Sequence, residues 1–154
     1  MNIGLKYQLE TFLENICDGN EILQEAKRKA DKNVLAEDVF RDKIYEYLRK
    51  HQYPTDTEAK TDSKPGCGED YWLIDLMVMT LGFKQIPIEV KFNEESRELI
   101  GDDKEKIDYC IHHNKNMEEG YVILLTSKEK SNFEEDLKPT AFQPYRFALW
   151  HLTK

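Results

Sequence analysis

Three charged residues stand inside the two most hydrophobic runs of the chain: Asp75 within Leu73–Met79, and Glu89 and Lys91 within Ile86–Phe92. Ionised side chains are rarely buried unless they are paired or in use, so these positions call for a chemical account. The two runs, rich in β-branched, aromatic and long aliphatic residues, flank a short segment containing Gly82, which predicts a β-hairpin. Asp75 and Glu89 are equally far from Gly82 in sequence, so a turn centred there puts them directly opposite one another. Opposed residues share a face, with Cβ atoms about 4.5–5.5 Å apart. Lys91 lies two residues beyond Glu89, and the pleat returns it to that same face. Two carboxylates this close repel unless a cation sits between them, and an all-oxygen ligand set with room for water suits Mg²⁺, with Mn²⁺ as substitute. A register slip of one residue would carry Asp75 to the opposite face and dissolve the patch.

A plainer reading makes the three residues an ion-paired patch on the solvent face of a hairpin, where each pair contributes little. Leu73, Met77 and Met79 share the Asp75 face by the same alternation, so the charges would stand among apolar neighbours, which favours the catalytic reading.

The elements that position the patch follow from periodicity. Residues 5–17 and 20–31 carry apolar positions at helical spacing and predict two packing helices. Asn33 is placed to cap a third helix from about Val34 to Lys50, whose apolar stripe is Phe40, Ile44, Tyr47, Leu48 and His51. On that wheel Glu37 falls inside the stripe and Glu46 on the far side. An inward Glu37 could favour the helix dipole or pair with Arg41, or it could face the Asp75/Glu89 patch. Residues 54–70 read as a loop with a short edge strand around Thr55–Lys60. Lys60 and Lys64, just before the charged strand, are candidate nucleic-acid contacts, with an ordinary surface loop as the alternative.

Beyond the hairpin, Asn93–Gly101 reads as irregular or a short helical turn, followed by a helix from about Asp102 to Asn114 with Ile107, Cys110 and Ile111 facing inward. Tyr121–Thr126 is a near-continuous apolar run, the pattern of a strand buried on both faces. Its connection through a helix implies a crossover and parallel pairing. A last strand is expected over Tyr145–Leu152.

A formal net charge of −8 argues against a protein that coats nucleic acid through a broad basic face. It leaves room for a nuclease, because bound divalent cations and a local basic rim can supply attraction where it is needed. No apolar run approaches the roughly 20 residues that span a bilayer, and the N-terminal stretch lacks a signal peptide's apolar segment, so no membrane partner and a cytoplasmic location are expected. Cys17, Cys67 and Cys110 are widely spaced and read as free thiols. The adjacent His112 and His113 point about 100° apart on a helix, which suits neither a shared metal nor a dyad. Ser63 and Cys67 have no His/Asp partners at a readable spacing, so nucleophilic catalysis is unsupported.

Helix, edge strand, a hairpin bearing Asp75 and then Glu89-Val90-Lys91, helix, buried strand: this order resembles the core of the PD-(D/E)XK nuclease superfamily. Thirteen residues separate the Asp from the Glu, and Ile74 stands where the family name has proline. The resemblance covers residues 34–126. It implies an α/β, restriction endonuclease-like core, a mixed central sheet flanked by helices, within a single domain 1–154 that adds an N-terminal helical extension (1–32) and a C-terminal strand (140–154). It further implies Mg²⁺-dependent hydrolysis of phosphodiester bonds in nucleic acid, with DNA as the expected substrate. Asp75, Glu89 and the Val90 carbonyl would hold metal, and Lys91 would orient the attacking water and stabilise the transition state. Glu37 matches an acidic residue on the family's first core helix and would bind a second metal or steer a metal-bound water. The alternative is a nuclease-like module without turnover that acts with a protein partner; a homodimer is the other assembly considered.

Overall fold

Asp18 and Ser96 start two of the helices in this computed structural model, which describes residues 3–61 and 72–154. Lys64, Ser63 and Cys67 lie outside the described residues. Helix α1 (Ile3–Thr11) runs into a π-helical turn, Phe12–Ile16, so the single helix expected over 5–17 changes its hydrogen-bond pitch halfway. The Asp18 side chain then accepts the Asn20 N–H at 2.9 Å and caps α2 (Gly19–Arg28). The expected cap of the third helix is corrected. Asn33 adopts a left-handed backbone (φ 58°), and α3 (Ala36–Lys50) is capped at Leu35, whose N–H donates to Asp38 at 3.1 Å. A short polar residue tolerates the left-handed region that ends the preceding turn, and the carboxylate three residues into the helix supplies the reciprocal acceptor.

Six strands form one mixed sheet in the order β1-β2-β3-β4-β6-β5. β1 (Thr55–Lys60), the predicted edge strand, pairs antiparallel with β2 (Leu73–Met79), and β2 pairs antiparallel with β3 (Gln85–Phe92). The β2–β3 register is the one the turn arithmetic requires: Leu76 faces Ile88 and Met79 faces Gln85, equidistant from Gly82. Gly82 has φ 83°, a conformation open to glycine at no steric cost. β3 leads through α4 (Arg97–His113) to β4 (Glu119–Thr126), paired parallel with β3 as the buried apolar run implied. β6 (Arg146–Thr153) pairs antiparallel with β4, and the two-residue β5 (Lys138–Pro139) closes the far edge. α4 begins five residues before the expected Asp102, because the Ser96 side chain accepts the Leu99 N–H at 3.2 Å and recruits the polar segment into the first turn.

The sheet buries both faces. On one, Leu76, Val78, Ile88, Val90, Tyr121 and Ile123 pack with α1 to α3 through Leu9, Phe40, Ile44 and Leu48. On the other lies α4, with Cys110 and Ile111 in a cluster with Met77 and Met117, and Ile100 against Leu124 and Ala148. Alternation along β2 and β3 therefore sends Asp75, Glu89 and Lys91 to the α4 side. Gly120 permits the close approach of that helix: a Cβ there would stand 2.5 Å from Ile107 Cγ2 and 2.9 Å from the Pro87 carbonyl oxygen. Among the described residues, no helix is long and apolar enough to cross a membrane.

Candidate active site between the hairpin and two helices

Asp75 sits on β2 one residue beyond the last paired rung, Leu76–Ile88, and continues that register towards Glu89. Its Oδ2 accepts the Val90 N–H at 2.9 Å, which ties the carboxyl across the hairpin. The Glu89 carboxyl, on the same face of the hairpin, is only 3% exposed. Burial, followed by the hydrogen bond and charge of Asp75, holds the Glu89 carboxyl well above the usual carboxylate range, opposed by Lys106. Lys106 Nζ lies 2.6 Å from Glu89 Oε1. The contact is an ion pair between a partly exposed ammonium and a buried carboxylate.

Lys91 bridges two further carboxylates. Its Nζ stands 3.5 Å from Asp103 Oδ2 and 3.8 Å from Glu37 Oε1. Burial works against the Lys91 ammonium, but Asp103, Glu37, Asp75 and Glu89 together raise its pKa above the ordinary lysine value. Asp103, 8% exposed, and half-buried Glu37 are both shifted upward, first by burial and then by neighbouring carboxylates, with Lys91 opposing. Four carboxylates and two ammonium groups thus interlock in one partly buried cluster. The Lys106 ammonium offsets part of the repulsion between Asp75 and Glu89, and a proton or a bound cation would offset the rest.

The structure brings together Asp75, Glu89, Lys91 and Glu37. Of the roles left open for Glu37, pairing with Arg41 is not the one adopted: Arg41 meets Asp38, Asp42 and Glu58, and Glu37 turns to Lys91. Glu46 is exposed, as the wheel required. The Val90 side chain belongs to the opposite core, so its part in the site is confined to the backbone. Lys60 faces Leu73 on the edge strand and lines a separate hollow with Met77, Met79 and Met117. Lys64 is outside the described residues.

Asp103 and Lys106 are members that the expected helix face, defined by Ile107, Cys110 and Ile111, left out. A signal for them exists: Asp103, Lys106, Ile107 and Cys110 follow the 0, 3, 4, 7 spacing of one helix face, so two charges share the inward stripe. Among the described residues, no group of three or more His, Cys, Asp or Glu side chains is arranged to hold a metal ion. Comparison of the chain with family models, with curated proteins and with solved structures yields no match.

Proposed function

We propose that this chain is a metal-dependent nuclease of the PD-(D/E)XK type, with a restriction endonuclease-like core, hydrolysing phosphodiester bonds of nucleic acid, DNA first. The observation that carries this reading is the shared face of Asp75 and buried Glu89, one step beyond the Leu76–Ile88 rung, with Lys91 beside them on the α4 side of the hairpin. The two carboxyls offer hard oxygen ligands, and the burial and neighbouring Asp75 charge that push Glu89 upward are what a divalent cation offsets. Asp75, Glu89 and the Val90 carbonyl would hold Mg²⁺ or Mn²⁺, and Glu37 lies across Lys91 from them. When bound, such an ion lowers the pKa of a coordinated water and neutralises charge on the scissile phosphate.

The chain's own residues supply the rest. Lys91, held charged by Asp103 and Glu37, presents an ammonium that orients the attacking water and stabilises negative charge on the phosphate in the transition state. Lys106 keeps Glu89 compensated before a cation arrives, and on release from that carboxylate its ammonium is free to meet a phosphate oxygen. Asp75 anchors the register by accepting the Val90 N–H.

One observation favours a second reading, a nuclease-like binding or assembly module without turnover. Lys106 already neutralises Glu89 with no metal needed. A buried lysine–carboxylate cluster of this kind also serves as a specificity device with no chemistry.

The deciding experiment incubates the purified chain with single-stranded, duplex and branched DNA and with RNA, in Mg²⁺, in Mn²⁺ and in EDTA. The nuclease reading expects cleavage in metal and none in EDTA. Absence of cleavage on every substrate, together with no calorimetric binding of Mg²⁺ or Mn²⁺, would overturn it in favour of the module.

A further inference from the structure

The hollow that leads into the carboxylate cluster is walled by aromatic rings. Trp72, Asp102, Asp103, Glu105, Lys106 and Tyr109 line a pocket of about 380 Å³, within the roughly 300–1,000 Å³ of small-ligand sites. Asp103 and Lys106 form its inner wall and are the residues that meet Lys91 and Glu89. The side wall is the pair Trp72–Tyr109, edge to face with centroids 5.1 Å apart. Asp102 and Glu105, both exposed, form the rim.

Both residues have local partners before any ligand arrives, Trp72 through its backbone and Tyr109 through its ring. The Trp72 N–H donates to Thr61 Oγ1 at 3.0 Å, and the Thr61 N–H donates to the Trp72 carbonyl at 2.9 Å, so the residue is clamped to the edge strand. Tyr109 is stacked at 3.8 Å on His113, whose ring Nδ1 lies 2.9 Å from the Tyr109 carbonyl oxygen. The pattern is two aromatic rings in edge-to-face contact beside the ammonium of Lys106, behind an acidic rim. It suits a flat, uncharged, hydrogen-bonding ring attached to a phosphate.

Resting on the nuclease reading, we propose that this pocket takes an unpaired nucleobase, and that the substrate is a single strand or a duplex with a frayed, flapped or extruded nucleotide. Every base has a π-face that an aromatic wall can engage, but in a duplex that face is covered by its neighbours. The rim carboxylates of Asp102 and Glu105 can accept hydrogen bonds from exocyclic amino groups. With the base held against Trp72 and Tyr109, the adjoining phosphate is delivered to the Lys106 and Lys91 side of the pocket.

The test measures binding separately from cleavage, with Ca²⁺ in place of Mg²⁺. A labelled single-stranded DNA, its blunt duplex, and the same single strand carrying abasic positions are titrated with the wild-type chain and with Tyr109→Ala. The single strand is expected to bind at least about tenfold more tightly than either the duplex or the abasic strand, and Tyr109→Ala to lose about tenfold on the single strand alone. Tyr109→Phe should bind like wild type. Equal binding of duplex and single strand, or of abasic and intact strand, overturns the proposal on the unaltered protein even if Tyr109→Ala fails to fold. A chain that cuts duplex and single strand alike, and is inactivated by Lys91→Ala, keeps the nuclease reading and loses this one. Selective binding of the intact single strand without cleavage does the reverse.

Discussion

Lys106 Nζ lies 2.6 Å from Glu89 Oε1, an ion pair that joins α4 to the middle of the sheet at a carboxylate only 3% exposed. Removing the lysine leaves Glu89 facing Asp75 with no adjacent ammonium. Lys106→Gln is expected to destabilise the metal-free chain by about 3 kcal/mol, the low end for a broken buried pair because the lysine itself is partly exposed. Saturating Mg²⁺ should raise the melting temperature of Lys106→Gln more than that of wild type, since the ion takes over the missing charge. Melting curves with and without Mg²⁺ read both effects, and a variant indifferent to Mg²⁺ would count against metal at Asp75 and Glu89.

The pH dependence of stability follows from the same cluster. Glu89, Glu37 and Asp103 all have carboxyl pKa values raised on folding, so the native state binds more protons than the unfolded chain as pH rises above the ordinary carboxylate range. Their contribution is fully present below the unfolded pKa and is lost as pH rises through the folded values. Wild-type stability should therefore fall from about pH 4.5 upward through the folded pKa of Glu89, and Glu89→Gln should flatten that fall. Urea titrations across pH check the slope; an unchanged slope in Glu89→Gln would assign the effect to other groups.

Lys91 is the residue whose loss separates chemistry from fold. Its side chain is one-fifth exposed and meets Asp103 and Glu37 through ion pairs. Lys91→Ala should keep the circular dichroism of the wild type and lower metal-dependent cleavage by about 10²–10³-fold, the loss typical of one transition-state donor. Equal cleavage by wild type and Lys91→Ala would sink the assignment. Glu37→Gln should lose less, since Asp103 still holds the ammonium.

Gly120 tests how the site is assembled. A methyl group at that position meets Ile107 and the Pro87 carbonyl at distances no packed atom tolerates. Gly120→Ala should destabilise by about 1–3 kcal/mol in urea titrations as α4 is pushed off the sheet, and should lower metal-dependent cleavage by drawing Asp103 away from Lys91. Gly101→Ala on the same helix, where the added methyl meets nothing within 4 Å, is the control.

What the sequence by itself determined is local and periodic. Gly82 and the period-2 pleat specify the hairpin, its register and the shared face of Asp75, Glu89 and Lys91, because turn geometry and alternation are properties of neighbouring residues. The apolar run of β4 and the helix before it specify parallel pairing with β3 for the same reason. The helical wheel turns Glu37 inward, and the choice between Arg41 and Lys91 as its partner depends on where α3 lands on the sheet. The tertiary structure alone decided that Asp103 and Lys106 complete the cluster. Their placement needs α4 laid against β4 at the one position, Gly120, where a missing side chain lets the helix come close. The spacing along α4 turns both residues inward, but which sheet residues they meet joins segments distant in the chain and is set by how the helix docks.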